Sequence, residues 1–112
     1  MRSARRWGNV FATGFALFLA IQFIRPAIPH APVTTDVAAP FQIKQILKTS
    51  CYDCHSNETR LAWFDQIAPA YWLVRQDVLS ARERLNFSNI GSSPAAVQKA
   101  ALYEGVNMVK LG

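Results

Sequence analysis

FQIKQILKTSCYDCH, residues 41–55, is the stretch from which the rest of the chain is best read. Ile43, Ile46 and Leu47 recur at i, i+3 and i+4, so Phe41–Thr49 is an amphipathic helix that runs straight into Cys51. Both cysteines of the 112-residue chain lie in the final five positions, as Cys51-Tyr52-Asp53-Cys54-His55. In C-x-x-C-H, two thiols on one turn can each form a thioether to a vinyl group on the same porphyrin edge. The adjacent imidazole then projects over the iron as an axial ligand. The pattern points to one covalent haem c, held by Cys51 and Cys54 with His55 on the iron. A dithiol redox pair also uses C-x-x-C but belongs in a βαβ setting, and the chain offers no convincing strand. A zinc site needs four ligands, and Cys51, Cys54 and His55 supply three, with only His30 left over. A disulfide across two intervening residues would close too small a loop to stabilise much.

Outside the motif, the chain divides into three parts. Met1–Arg6 carries three arginines and no acid, and Trp7–Ile24 then runs for eighteen residues without a charge. As a helix those eighteen residues reach about 27 Å, close to the roughly 30 Å of a bilayer core. Residues 1–25 therefore read as an N-terminal transmembrane signal-anchor helix with its arginines on the cytoplasmic side. That places the remainder outside the cytoplasmic membrane, single-pass, on the periplasmic face. Residues 26–39, with Pro26, Pro29 and Pro32, read as a stiff extended linker. Residues 40–112 remain for a single domain, too small to be stable on hydrophobic burial alone without a staple, metal or cofactor.

Composition removes several function classes. At 51% hydrophobic and 17% charged, the chain is neither a disordered tail nor a collagenous repeat. The net charge of +5 is a property of one end, because four of the twelve Lys/Arg precede residue 26. That leaves eight basic residues against seven acids in the rest. No basic patch for nucleic acid follows from that balance.

The domain reads as all-α. Ala68–Leu85 is the longest helical pattern, with Pro69 at its first position and a stripe of Tyr71, Val74, Val78, Ala81 and Leu85. Asn86 is placed to cap its end. Ser93-Pro94 opens a third helix as far as Glu104, and Gly105 is expected to bend or end it. Trp63 and Phe64, close behind the motif, are expected to wall the haem and exclude water. Arg60, Arg82 and Arg84 read as solvated charges, with pairing to haem propionates as the alternative.

Asp53-Cys-His-Ser-Asn-Glu-Thr59, followed by Trp63-Phe64, Ile67-Ala-Pro69, Trp72-Leu-Val74, Asp77-Val78 and Leu85-Asn-Phe-Ser88, resembles the bacterial haem-binding domain family with a single C-x-x-C-H. The resemblance covers roughly residues 40–112. It implies a small cytochrome c-like helical domain, membrane-anchored and exported, with covalent haem at Cys51 and Cys54 and iron ligation by His55. Members carry Trp-Pro before the Trp/Tyr pair where this chain has Leu61-Ala62. The family pattern also continues into a Gly-x-Met-Pro segment, whereas this chain stops at Leu111-Gly112 and reads as truncated. Met108 is then the candidate sixth iron ligand, against His30 or water.

The resulting expectation is a mono-haem electron-transfer protein rather than an enzyme, serving unidentified redox partner proteins. The alternative is a haem-based redox or gas sensor, which would take a small-molecule ligand only if the distal position is open.

Overall fold

The computed structural model describes residues 2–112, and all of the regular structure among them is helical. Five α-helices follow in order: α1 (Arg2–Ile21), α2 (Phe41–Ser50), α3 (Tyr52–His55), α4 (Ala70–Arg84) and α5 (Ala95–Leu111). Two short 3₁₀ turns, Phe64–Gln66 and Ile90–Ser92, precede α4 and α5. The all-α expectation holds, with boundaries within two residues for α2 and α4. Pro69 and Pro94 each stand one position before the first helical residue rather than within the helix.

The transmembrane expectation needs correction. The regular helix ends at Ile21, and the N–H groups of Gln22, Phe23 and Ile24 then bond three residues back in tight turns. What is both apolar and helical runs only from Trp7 to Ile21, about 22 Å at 1.5 Å per residue, well short of a roughly 30 Å core. No helix among the described residues is long and apolar enough to cross a membrane. The apolar side chains of α1 are nonetheless exposed, Phe11, Phe15 and Leu17 among them.

The end of α1 is fixed to the rest of the chain. The Gln22 side-chain amide pairs with both backbone groups of Ala68: Nε2 donates to its carbonyl at 3.1 Å, and Oε1 accepts from its N–H at 2.9 Å. The Trp72 indole N–H donates to the Ile24 carbonyl at 2.7 Å. Arg25 lies over the Tyr71 ring, 4.9 Å from its centre.

Residues 26–39 have no regular secondary structure, with a bend at Thr35, but they do not form a free spacer. Tyr71 donates through its hydroxyl to the Pro26 carbonyl at 2.6 Å, and Arg75 through Nε to that of Ala27 at 3.0 Å. Further along, the N–H of Val37 donates to the Phe87 carbonyl at 2.9 Å, and that of Gly91 to Thr35 at 2.9 Å. Each of its three prolines lacks an N–H, and its carbonyls accept from side chains of α4. The segment becomes a strap across the domain. A side chain at Gly91 would meet this strap, because a Cβ there would lie 2.8 Å from both Cγ2 and the carbonyl oxygen of Thr35.

Two small apolar cores result, and the strap contributes to each. Ile28 joins Tyr71 and Val78 beneath α4, flanked by Leu61, Trp72 and Val74. Val37 joins Tyr52, Phe87 and Ile90, flanked by Leu47, Cys51, Leu85 and Ala101. α5 continues through Gly105 to Leu111, although a break was expected there. A mid-helix glycine costs only about 1 kcal/mol relative to alanine, which one residue does not turn into a stop. Gly105 faces Leu85, with 3.6 Å between its notional Cβ and Leu85 Cδ2.

Candidate functional site

α2 delivers Cys51 at its C-terminal cap, where the Cys51 N–H closes the last turn on the Leu47 carbonyl at 2.9 Å. The chain re-enters a helix at once. The N–H groups of Cys54 and His55 both donate to the Cys51 carbonyl, at 3.3 and 2.9 Å, so the motif occupies a single turn. Cys51 is half-buried against the core, Cys54 is exposed, and both thiols are free.

The imidazole of His55 is held from behind. Its Nδ1 lies 2.9 Å from the carbonyl oxygen of Leu85. A carbonyl can only accept, so Nδ1 carries the proton and Nε2 keeps its lone pair. The ring is thus fixed in the tautomer that a metal needs. The next peptide strengthens the hold, because the Phe87 N–H donates to the His55 carbonyl at 2.7 Å. Phe87 also presents its ring to the imidazole edge-on, at 6.3 Å between centres and 62°.

The segments Ser56-Asn57 and Leu85–Ser88 are joined by a closed polar network. Asn86 Nδ2 donates to Asn57 Oδ1 at 2.8 Å, and Asn86 Oδ1 accepts from the Ser88 N–H at 3.0 Å. The Ser88 hydroxyl accepts from the Asn57 N–H at 2.9 Å. The hydroxyl of Ser56 donates to the Tyr52 carbonyl at 2.7 Å and accepts from the Glu58 N–H at 2.9 Å. Ser56, Asn57 and Ser88 are all buried, and no buried side-chain polar atom among the described residues lacks a partner. These residues tie the peptide after His55 to the segment whose Leu85 carbonyl meets its ring. Their role escaped the sequence reading, which had Asn86 as a helix cap. The signal was present in the paired segments Ser56-Asn57 and Leu85-Asn-Phe-Ser88, but a contact across about thirty residues leaves no local periodicity to find.

A second network lies behind Tyr52. Its hydroxyl donates to Asp36 Oδ1 at 2.6 Å, and its ring stacks on Phe87 at 5.3 Å and 8°. Lys44 forms an ion pair with Asp36 and donates to the Val37 carbonyl at 2.8 Å. Burial raises the carboxyl of Asp36, but hydrogen bonds from Lys44 and Tyr52 outweigh it and hold the group below its ordinary value. Burial first, and then Asp36 by hydrogen bond and charge, raise the Tyr52 phenol well above its usual range. The thiol of Cys54 is also raised, by partial screening from water and then by the charges of Asp53, Asp77 and Asp65. That direction is opposite to the lowered thiol of a nucleophilic dithiol pair.

α4 packs against both the motif helix α3 and the 64–66 turn. Trp63 and Phe64, at the start of that turn, lie edge to face, 5.7 Å apart at 82°, and are 74% and 55% exposed. Met108 is 57% exposed on α5 and belongs to neither core cluster. His30 is exposed on the strap. Arg82 is turned to protein oxygens: Nε donates to the Ser56 carbonyl at 2.7 Å, and its terminal nitrogens donate to the Pro29 carbonyl and to Thr59 Oγ1.

The donor set fits a haem of the covalent type. Two free thiols share one turn, and the adjacent imidazole has an available Nε2. Comparison with curated proteins finds no match, and comparison with solved structures finds none. A family model described as a haem-binding domain matches residues 16–112, well over half of the chain. This chain is a member of the haem-binding domain family.

Proposed function

We propose that the chain carries one haem c, bound through thioethers at Cys51 and Cys54 with His55 Nε2 on the iron, and that it serves as an electron carrier rather than an enzyme. The observation that carries the reading is the 2.9 Å contact from His55 Nδ1 to the Leu85 carbonyl, which leaves Nε2 as the free donor. When bound, haem supplies a one-electron Fe(III)/Fe(II) couple. The protein's contribution is to hold the imidazole, restrict its rotation and keep water from the iron's surroundings. Trp63 and Phe64 are assigned to the haem wall, because both are large exposed rings at the 64–66 turn and α4 packs on that turn as well as on the motif helix. Attachment to the outer face of the cytoplasmic membrane through the exposed apolar surface of α1 completes the reading. The partners are one-electron redox proteins on that side.

The test is the intact mass of the full chain after expression with the haem c attachment machinery, beside a denaturing gel stained for haem. A gain of one haem that survives denaturation is expected, and it should vanish in Cys51→Ser/Cys54→Ser. A bare polypeptide, with the machinery confirmed on a control cytochrome, would overturn the proposal.

A further inference from the structure

Arg82 has a half-buried side chain whose guanidinium bridges three separate segments. Its bonds reach Ser56 in the peptide directly after His55, Pro29 in the strap, and Thr59 in the loop leading to Trp63. All three acceptors are neutral oxygens. The only ion pair among the described residues is Lys44 with Asp36, so no carboxylate compensates this cation. A guanidinium stays charged under all ordinary conditions, and a charge lifted partly out of water acts strongly on its surroundings. The group next to it is the backbone of the histidine motif. All three guanidinium nitrogens are engaged with protein oxygens, one bond each.

We infer that Arg82 is a positioning and tuning residue for the haem centre. Its fork locks the strap and the 56–59 loop onto the histidine peptide, and its unpaired positive charge favours the reduced over the oxidised centre. The inference rests on the haem reading above. A cation fixed near a centre that gains an electron stabilises the reduced state, because reduction lowers the positive charge it opposes.

The experiment measures the midpoint potential by spectroelectrochemistry on the full, haem-loaded chain. In Arg82→Gln the midpoint should fall, so that the reduced-to-oxidised ratio at fixed poise drops several-fold. In Arg82→Lys, which keeps the charge and loses the fork, the midpoint should stay near that of the parent while thermal stability declines. If Arg82→Gln does not accumulate, Thr59→Glu gives the guanidinium a carboxylate partner in place, with Thr59→Gln as its uncharged control. The Glu variant should then show the lower midpoint of the two. Equal midpoints within either pair would overturn the charge role, as would an equal fall in Arg82→Lys and Arg82→Gln. A parent chain that carries no haem would overturn both this inference and the reading beneath it, whereas a loaded parent with unshifted variants would overturn this one alone.

Discussion

Replacing Asn86 by alanine tests the network that holds His55 in place. The substitution removes two hydrogen bonds at once, Nδ2 to Asn57 Oδ1 at 2.8 Å and the Ser88 N–H to Oδ1 at 3.0 Å. Neither abandoned partner has ready access to water, since Ser88 is 0% and Asn57 8% exposed. Each buried group left unsatisfied costs about 1–3 kcal/mol, so the pair together should cost about 3 kcal/mol. With a urea dependence of about 1.5 kcal/mol per molar for a chain of this size, the unfolding midpoint should fall by about 2 M. The assay is urea unfolding of the full chain in mild detergent, followed by circular dichroism. Asn57→Ala shares one of the two bonds, so the double variant should lose about 1 kcal/mol less than the sum of the singles. A midpoint shift under about 0.5 M would refute the reasoning, because water would then be replacing the amide. Strict additivity would refute it as well.

Three further outcomes follow from the same geometry. Val78 is 0% exposed between Tyr71 and Ile28, so Val78→Ala should cost about 2 kcal/mol in thermal or urea unfolding, while Leu73→Ala on the open face of α4 should cost far less. The carboxyl of Asp36 is held below its ordinary value in the fold, so it contributes stability that is present above about pH 4 and lost as pH falls through the lower folded value. Melts across that acid range should show the loss in the parent and a flatter profile in Asp36→Asn. Met108 is exposed on α5 and outside both cores, so Met108→Ala should leave the visible spectrum and midpoint of the haem-loaded chain unchanged. A shifted midpoint would make the thioether the sixth ligand, and a carbon monoxide difference spectrum would show whether the distal position is open.

Elements that rest on local pattern were legible from the residues alone. Ile43, Ile46 and Leu47 marked α2, the Tyr71–Val78 stripe marked α4, and Cys51-x-x-Cys54-His55 marked the candidate haem site, because each signal lies within a few turns of one helix. Local pattern did not show that α1 stops at Ile21, nor that Gln22 directly after it meets Ala68, forty-six residues away. Nor did it show that residues 26–39 are a strap rather than a spacer, or that Asn86 and Arg82 bond to the segment just after His55. The physical reason is the same in each case. These contacts run through backbone carbonyls and N–H groups, and every residue presents a carbonyl whatever its side chain. The residue letters therefore show which donors exist, and only the folded chain shows which oxygens they meet.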